Sequence, residues 1–572
     1  PIPLATFDDV NNDSGDKQMV LAVTNDGFVK ELGQLGSIKS ITEPFANLSA
    51  NPSQVNQRDI RKWRKVELTI PANDIERVSK VLTTFDEVSI AEPVVERKIT
   101  GVPVADIDDT KYLDQWHLDA ANVKTAWASL ESENLPAGGA DDIVVAVIDS
   151  GVDYTHPDLV NNMWRNPGEI PNNNVDDDGN GFVDDVFGVD VLSQPSNHNG
   201  DPQDVHGHGT HVAGIIAAEA GNSQGVVGVA YNTKIMAIKA AQFSGILTSA
   251  DVAEAILYAV EHGADVINMS FGGYGRSQVE EDALATAYSQ AVLISSAGND
   301  GKPNQYKCKG APSYPASYPW VVGVMATQER PNEGGYLTNF SNRDCVADNG
   351  IEYEVMAPGA QIWSTLPNNS YGAWNGTSMA APVVSGVAAL ARTKWPDKSQ
   401  YSSRFIMGQI ATTGDFERAY VTPEGKQIAY RESNANLAVT TTPAPLITLE
   451  DTYIFDKTSV STINDEDGRV DAGETIELAI SLRNRWGKAD NVQVTISTPN
   501  ASFSSDPNVN ITTDSINYGA IGSFNVDDNG FVYEEELITG VSSPFVFKVL
   551  STTPNNHRIP FTVTITARNG FD

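Results

Sequence analysis

Short apolar runs alternate with segments of helical periodicity through the middle of the chain. The runs lie at Ile143–Ile148, Ile235–Ile238, Val266–Met269 and Val292–Ser295. Segments with a helical pattern lie at Val212–Ala218, Ala250–Glu261, Val279–Ser289 and Met379–Thr393. Continuous apolar strands are typical of a sheet buried on both faces, so the alternation predicts an α/β fold in which helices cover both faces of a parallel sheet. Ligands bind at the carboxyl ends of the strands in such sheets.

The regions on either side of this middle part have other patterns. Residues 1–17 are polar and acidic without periodicity, which predicts a poorly ordered leader. Residues 18–101 combine strand-like runs with one helical pattern at Ile75–Leu82, which predicts a small α+β domain. The Thr-Pro segment 440–445 predicts a linker. Residues 446–572 alternate apolar and polar positions between turn residues, which predicts an antiparallel β-sandwich.

Composition and charge narrow the classes of function. The 572 residues exceed what one hydrophobic core usually serves, so several domains are expected. The net charge of −36 disfavours binding to nucleic acid or to an anionic membrane surface. No apolar run reaches the roughly 18 to 20 residues that a membrane span requires. The two cysteines, Cys308 and Cys345, predict one disulfide in an exported protein, with two unpaired buried thiols as the alternative.

Three Gly-flanked strings supply an acid, a base and a hydroxyl. Asp149 follows the run 143–148, His208 opens His-Gly-Thr-His-Val-Ala-Gly, and Ser378 lies in Gly-Thr-Ser-Met-Ala-Ala-Pro. A serine becomes a nucleophile when an imidazole accepts its proton and a carboxylate orients that imidazole. The alternative for Ser378 is the N-cap of the helix that follows it. His206 and His211 compete with His208 for the role of base and are interpreted as structural or solvated.

On these strings the chain resembles the subtilisin-like serine proteases, in which acid, base and nucleophile come in the same order along the chain. The resemblance covers about residues 109–439 and extends through Val-Ile-Asn-Met-Ser-Phe-Gly-Gly, Ser-Ser-Ala-Gly-Asn and Met-Ala-Pro-Gly. It implies a catalytic domain over 109–439 in which Asp149, His208 and Ser378 form the catalytic triad. It also implies that the side chain of Asn299 and the backbone N–H of Ser378 stabilise the oxyanion.

The same resemblance gives the N-terminal region a function. Residues 18–101 are similar to the inhibitory pro-domain of this family, which assists folding and leaves its C-terminal tail in the substrate cleft. Self-cleavage is expected between about Lys98 and Asp109. An unrelated N-terminal domain is the alternative.

The candidate substrate-binding residues follow from the resemblance and from the need to bind an extended peptide. A peptide backbone pairs with exposed strand edges regardless of its sequence, which makes cleavage broadly tolerant. These edges are expected at Phe243, Ser244 and Gly245 and at Ser270, Phe271 and Gly272. Asp300 is assigned to the rim of the main specificity pocket and Ser313 to its floor. A small floor accepts large side chains, and an acidic rim also tolerates Lys or Arg.

Three places in the sequence are candidate calcium sites. Segment 176–185 has oxygen ligands at alternate positions between glycines, with an acidic surface turn as the alternative. Its expected ligands are Asp176, Asp178, Asn180, Phe182 and Asp185. The resemblance implies a second site with side chains of Asp109, Asp158 and Asn222 and carbonyls of Gln224 and Val226. The third candidate, for which a solvated turn is the alternative, comprises Asp465, Asp467, Asp471 and Glu474.

Together these features predict a calcium-stabilised serine endopeptidase of broad specificity. We expect it to be made as a self-processing precursor, to be secreted or held at the cell surface, and to act as a monomer on protein or peptide substrates. One alternative is a narrow processing protease of the kexin kind, which needs several acidic groups around the pocket. The other is an adhesive binding protein in which the β-sandwich carries the function.

Overall fold

A computed structural model describes most of the chain from residue 110 onwards. It covers residues 110–192, 200–301, 312–329, 336–343, 353–416, 420–421, 427–428, 431–456, 469–499, 505–534 and 537–569, together with the backbone of six earlier strands. The chain divides into a first unit of residues 1–406 and 413–440 and a second unit of residues 407–412 and 441–572. The predicted leader up to residue 16 and the predicted helix Ile75–Leu82 lie outside the described residues.

The six early strands belong to the first unit. They are β1 Lys17–Thr24, β2 Ile38–Thr42, β3 Trp63–Thr69, β4 Val88–Pro93, β5 Glu96–Ile99 and β6 Val102–Val104. The first four form an antiparallel sheet in the order β2-β3-β1-β4. β5 and β6 instead pair with strands that come later in the chain.

The later strands of the first unit build one large sheet and several small ones. They are β7 Val144–Asp149, β8 Gly188–Asp190, β9 Lys234–Lys239, β10 Ile246–Thr248, β11 Val266–Met269, β12 Phe271–Gly272, β13 Val292–Ser296, β14 Val322–Gln328, β15 Tyr336–Leu337, β16 Val355–Pro358, β17 Ile362–Leu366, β18 Ser370–Asn375, β19 Asp415–Phe416, β20 Tyr420–Val421, β21 Gln427–Ile428 and β22 Arg431–Glu432. The large sheet has the order β19-β22-β16-β14-β13-β11-β7-β9-β8, with β15 paired to β14. Its central neighbours are parallel, which confirms the predicted α/β class.

The helices connect and cover these strands. They are α1 Trp116–Ala120, α2 Val123–Ser132, α3 His208–Ala217, α4 Ser249–Glu261, α5 Gln278–Ala287, α6 Thr377–Lys394, α7 Ser403–Thr412 and α8 Ala435–Thr440, with short 3-10 turns at Tyr112–Asp114 and Val160–Asn162. α3, α4 and α6 pack against strands of the large sheet. Among the described helices, none combines the length and the apolar composition needed to cross a membrane.

Burial explains why the middle strands have continuous apolar sequences. In β7 the side chains of Val145, Ala146, Val147 and Ile148 are all fully buried. A strand with buried residues on both faces cannot alternate apolar with polar positions. The strand ends at Asp149, which therefore lies at the carboxyl end of the sheet, where the chain leaves its core.

The second unit is an antiparallel β structure. Its strands are β23 Ile447–Phe455, β24 Thr475–Asn484, β25 Ala489–Ser497, β26 Val509–Thr513, β27 Ser515–Ile521, β28 Asn525–Asp528, β29 Phe531–Glu534, β30 Leu537–Val541, β31 Phe545–Val549 and β32 Thr562–Asn569. One sheet contains β23, β24, β31, β26 and β28, and a second contains β27, β25 and β32. Ile480 of the first sheet and Val494 of the second share one buried apolar cluster, as expected for a sandwich.

Candidate active site

Asp149 and His208 form a buried carboxylate–imidazole pair. Nδ1 of His208 lies 2.8 Å from Oδ1 and 2.9 Å from Oδ2 of Asp149, and both side chains are 0% exposed. Oδ1 also accepts a hydrogen bond from the N–H of Ser150 at 2.7 Å. A carboxylate only accepts, so Nδ1 carries the imidazole proton and Nε2 presents its lone pair. This is the tautomer that a general base requires.

Ser378 is the second residue of α6 and is fully buried. The residue that caps the helix is Gly376, so the N-cap alternative for Ser378 is wrong. Oγ of Ser378 donates to the carbonyl oxygen of Ser270 at 2.9 Å. Nε2 of His208 has no hydrogen-bond partner among the described residues, although it is buried. The acceptor for the serine proton is therefore available, while the hydroxyl itself points to Ser270.

Asn299 is hydrogen-bonded to Thr377, the residue that precedes Ser378. Its Oδ1 accepts hydrogen bonds from the N–H and from the Oγ1 of Thr377, each at 2.9 Å. Because the amide oxygen accepts these hydrogen bonds, the NH₂ group is the donor of the Asn299 side chain. The orientation suits a donor to an oxyanion.

The other two histidines of the His206-Gly-His208-Gly-Thr-His211 string have different surroundings. Nε2 of His211 contacts the carbonyl oxygen of Gly372 at 2.9 Å, and burial lowers the pKa of His211 to about 3. The ring of His211 stacks on Trp374 with 5.0 Å between centroids. His206 is exposed. The imidazole bonded to a carboxylate is that of His208.

Two short strands flank the site and hold an extended segment of the chain between them. β5 lies between β10 and β12 and is antiparallel to both. Lys98 lies opposite Ile246 on one side and opposite Gly272 on the other. The predicted strand at Ser270–Gly272 matches β12 at Phe271–Gly272.

The predicted strand at Phe243, Ser244 and Gly245 is wrong by three residues. The strand that pairs with β5 is Ile246–Thr248, and the residues before it form a turn in which the N–H of Gly245 donates to the carbonyl of Gln242 at 2.8 Å. Gly245 has a φ of +76°, a left-handed conformation that an extended strand does not allow. Phe243 is 76% exposed at this turn.

The two residues assigned to the specificity pocket lie close to β12. Ser313 is buried, and a Cβ added at Gly272 would lie 2.8 Å from its Oγ, so its hydroxyl borders the backbone of β12. Asp300 is exposed and accepts a hydrogen bond from the hydroxyl of Tyr274. Burial, with a further contribution from Asp300, raises the pKa of Tyr274 to about 12. Sequence reasoning did not identify Tyr274, which belongs to none of the motifs.

Asp204 is a second buried carboxylate close to the pair, and sequence reasoning missed it as well. It is 2% exposed. Its Oδ1 accepts hydrogen bonds from Ser150 Oγ at 3.0 Å, from His206 N at 2.8 Å and from Gly207 N at 2.9 Å. Its Oδ2 accepts from Thr210 N at 3.0 Å and from Thr210 Oγ1 at 2.6 Å. In the sequence, the sign of these hydrogen bonds is an Asp four residues before His208.

Segment 176–185 forms an acidic cluster that can hold a metal ion. Carboxylate oxygens of Glu169, Asp178 and Asp185 lie within 4.8 Å of one another. Burial, reinforced by the neighbouring carboxylates, raises the pKa of Glu169, and burial also raises the pKa of Asp185. Asn180 donates to Asp185 at 2.9 Å. The sequence had not identified Glu169, because it precedes the acidic segment.

Two predicted ligands of this segment have other partners. The carboxylate of Asp176 accepts from the N–H groups of Gly179 at 2.7 Å and of Gly181 at 2.9 Å, so it shapes the loop. The ring of Phe182 packs edge to face on Tyr258, and its N–H donates to Asn180. Neither residue belongs to the cluster of Glu169, Asp178 and Asp185.

The residues of the other two candidate calcium sites are only partly described. Asp158 accepts from Asn222 Nδ2 at 2.6 Å and from Val226 N at 3.1 Å, and Gln224 N donates to Asn222 at 2.8 Å, so these four residues lie together. In the second unit Glu474 accepts from the N–H of Asp471 at 2.7 Å. The residues that lie outside the described part of the chain are Asp109, Asp465 and Asp467, together with Cys308 and Cys345.

A carboxylate–imidazole pair at the end of a parallel strand, with a serine in the first turn of a helix, defines the class as a serine hydrolase built on an α/β sheet. The model of the subtilase family matches residues 140–425, which is half of the chain. The protein therefore belongs to the subtilase family and is a subtilisin-like serine endopeptidase.

Curated relatives agree with this assignment. The chain is 34% identical over 322 residues to the thermophilic serine proteinase of Bacillus sp. (strain AK1), covering 56% of this chain and 67% of the relative. It is 40% identical over 210 residues to subtilisin DY of Bacillus licheniformis, covering 36% and 72%. It is 34% identical over 343 residues to subtilisin E of Bacillus subtilis, covering 59% and 79%.

Proposed function

We propose that this chain is an exported endopeptidase that cleaves proteins with broad sequence tolerance after cutting off its own N-terminal segment. The observation that supports this most directly is the position of β5, which is hydrogen-bonded between β10 and β12. Pairing of this kind uses backbone groups that every peptide has. An extended substrate can therefore replace β5 whatever its side chains are.

In the proposed reaction the hydroxyl of Ser378 attacks the scissile carbonyl and its proton passes to Nε2 of His208. Asp149 holds the Nδ1–H and stabilises the imidazolium that forms. The C–N bond then breaks as the imidazolium protonates the leaving amine. Water, deprotonated by the same imidazole, then attacks the ester carbonyl. The imidazolium returns its proton to Oγ of Ser378 as the ester C–O bond breaks, which releases the acid and restores the serine. Because Oγ of Ser378 donates to Ser270 in the structure, its O–H turns from that carbonyl to Nε2 before attack.

Asn299 is proposed to stabilise the negative oxygen of the tetrahedral intermediate. Its amide oxygen is fixed by Thr377, the residue that precedes the serine. A donor that is already oriented costs no reorganisation when the charge develops, and losing such a donor typically lowers turnover by about 10² to 10³, a range established in this family. The backbone N–H of Ser378, at the start of α6, supplies the second donor in the proposal.

The pocket favours broad over narrow specificity. The small residue Ser313 leaves space for large side chains, and Asp300 is the acidic residue assigned to the rim. The Asp300 carboxylate already accepts the hydroxyl of Tyr274. A peptide panel that varies the residue before the cut separates the two alternatives, because a kexin-like enzyme would cleave only after basic residues.

The central test compares the wild type with Ser378→Ala on a denatured protein substrate. We expect the variant to lose at least about 10⁴-fold in kcat, because serine and histidine act as a unit. Thr393→Ala is the matched control, since Thr393 is also a buried hydroxyl residue of α6 but lies near the other end of the helix, where it bonds to Ala140 N and Ala389 O. Equal hydrolysis by wild type and Ser378→Ala would reject the proposed function.

The registers of β5 and β6 support a particular site of self-cleavage. β5 runs towards Ser270, because Lys98 lies opposite Gly272 and Ile99 opposite Phe271. β6 begins beside the end of β18, with Val102 opposite Asn375, three residues before Ser378. The end of β5 and the start of β6 therefore lie on opposite sides of Ser378. We assign the cut to the bond between Thr100 and Gly101, which lie outside the described residues.

We also propose that the acidic cluster binds calcium. Calcium prefers several carboxylate and carbonyl oxygens in flexible geometry, and the cluster of Glu169, Asp178 and Asp185 offers such donors. Two of its carboxyl groups have raised pKa values because they are buried, and a cation would favour their charged forms. When bound, the ion would hold the loop together; it supplies no step of the hydrolysis.

A further inference from the structure

The segments that contain Asp149 and His208 are joined by one carboxylate that neither motif includes. Ser150 follows Asp149, and its Oγ both donates to Asp204 at 3.0 Å and accepts from the N–H of Gly209 at 3.0 Å. Gly209 follows His208. Ser150, next to the acid, thus bonds directly to Asp204. Gly209, next to the base, is connected to Asp204 through the hydroxyl of Ser150.

Asp204 also satisfies the N-terminus of α3. The first N–H groups of a helix have no partners within the helix. The cap residue Gly207 supplies no side-chain acceptor, and the carboxylate of Asp204 accepts from the N–H groups of His206, Gly207 and Thr210 instead. A negative charge at this end of a ten-residue helix is also favourable for the helix dipole.

We propose that Asp204 is a positioning residue for peptide hydrolysis, which fixes the backbone on both sides of His208 and thereby keeps its imidazole on Asp149. This inference depends on the proposed function, because it concerns the base of that reaction. Asp204 bonds to the backbone around the imidazole and to Ser150, so it acts through His208. Its contribution is the geometry and the local negative charge that the base experiences.

An amide cannot replace this carboxylate. In one orientation of Asp204→Asn the NH₂ group would face the N–H groups of His206 and Gly207, and in the other it would face the N–H of Thr210. In either case a donor meets a donor. The backbone before or after His208 must then move, although the side chain has nearly the same shape.

The experiment measures Asp204→Asn on a short peptide substrate, with active sites titrated so that only folded enzyme is counted. We expect kcat to fall by about 10- to 100-fold with KM within about twofold, because small misplacement of a catalytic group has effects of this size. Titratable groups close to the imidazole include Asp149, His206 and His211. Asp204 bonds to the backbone N–H groups of the two residues before His208. Loss of one negative charge disfavours the imidazolium, so the acidic limb of kcat/KM should move to lower pH.

Asp265→Asn is the matched control. Asp265 is 4% exposed and accepts from the N–H of Val144 at 3.1 Å, at the amino end of the same strands. We expect its acidic limb to coincide with that of the wild type. If Asp204→Asn and Asp265→Asn behave alike, or if Asp204→Asn keeps the wild-type kcat and acidic limb, the positioning role is disproved.

A second variant keeps the inference testable if Asp204→Asn fails to fold. Ser150→Ala removes one of the five hydrogen bonds and leaves the others on Asp204 in place. It should lower kcat with little change in KM, and an unchanged kcat would contradict the proposal. A wild type without any hydrolytic activity would instead reject the proposed function, which distinguishes the two failures.

Discussion

Three of the buried imidazoles of the first unit show how surroundings decide what a histidine can do. His208 donates to a carboxylate and keeps Nε2 as an acceptor. His211 faces a carbonyl and a tryptophan ring, and burial lowers its pKa to about 3. His117 is fully buried with neither ring nitrogen hydrogen-bonded to a described residue, and burial lowers its pKa to about 3 as well. With pKa values of about 3, His211 and His117 are neutral near pH 7.

The first prediction concerns acid stability. In the unfolded chain His117 binds a proton below its ordinary pKa of 6.5, but burial lowers the pKa of the folded protein's His117 to about 3. The stability present above pH 6.5 is therefore lost as the pH falls from 6.5 towards about 3, by at most about 1.4 kcal/mol for each pH unit in this window. His117→Leu should flatten this dependence and raise the unfolding temperature at pH 5 relative to the wild type.

Thermal unfolding between pH 4.5 and pH 8 checks this prediction. His206→Gln is the control, since His206 is exposed and its substitution should leave the slope unchanged. Identical slopes for His117→Leu and the wild type would show that the buried imidazole does not govern acid stability.

At this scale the sequence pointed to candidate residues that stand in fixed strings and did not point to Asp204 or Glu169. Asp149, His208 and Ser378 each stand in a string of small residues and glycine, whose order along the chain is distinctive. Asp204 and Glu169 stand in loops, and their partners are mainly backbone N–H groups. Hydrogen bonding to backbone leaves no periodicity or spacing that a single sequence could display.

At the scale of elements, apolar continuity predicted the strands well because burial on both faces is a strong constraint. Val266–Met269 has the predicted bounds, and β7 differs from its predicted run by one residue at each end. The exception was the strand before α4, predicted at Phe243–Gly245 and found at Ile246–Thr248. A strand of three residues is too short for a pattern, and its start depends on the backbone conformation of Gly245.

The second prediction concerns the acidic loop as an element. If the cluster of Glu169, Asp178 and Asp185 binds calcium, the ion should raise the unfolding temperature of the wild type. Asp178→Asn should remove most of this increase, because it takes one of three negative charges from the cluster. Asp177→Asn is the matched control, since the neighbouring Asp177 is exposed and bonds instead to Ile170 N and Asn173 Nδ2.

Differential scanning calorimetry with added calcium and with a chelator measures both variants. Comparing each variant with itself removes the direct cost of the substitution. An equal calcium effect in Asp177→Asn and Asp178→Asn would contradict a site at this cluster.

At the scale of the whole molecule, the chain combines an α/β enzyme unit with an antiparallel β unit that contains none of the proposed catalytic residues. Both architectures could be predicted from periodicity, since one has continuous and the other alternating apolar positions. The family resemblance implied that the tail of the N-terminal region lies in the substrate cleft, but the register of that pairing could not be predicted. The pairing of β5 with β10 and β12 joins residues that are far apart in sequence, and only the folded backbone shows its register.

The third prediction concerns processing of the full chain. The wild type should yield an N-terminal fragment that ends at Thr100 and a second fragment that begins at Gly101, while Ser378→Ala should stay intact. Gly101→Pro should block this cut, because proline removes the N–H and constrains the backbone at the leaving group. Gly101→Ala is the matched control and should be cut normally.

Intact-mass spectrometry at early times after synthesis identifies both fragments before any trimming. A first cut elsewhere would overturn the assigned bond and leave the endopeptidase activity intact. No cut in the wild type, together with hydrolysis of an added peptide, would overturn self-processing alone.

The position of β5 also bears on timing. A segment tethered to the groove it fills has an effective concentration of about millimolar, so a foreign peptide of micromolar abundance competes poorly with it. Under the proposed function, a newly made copy is dormant by simple mass action, without any distortion of its reacting groups. After the cut, the enzyme would stay dormant until the N-terminal fragment dissociates. Dilution into the surroundings would shorten this time, because it lowers the rate at which the fragment rebinds.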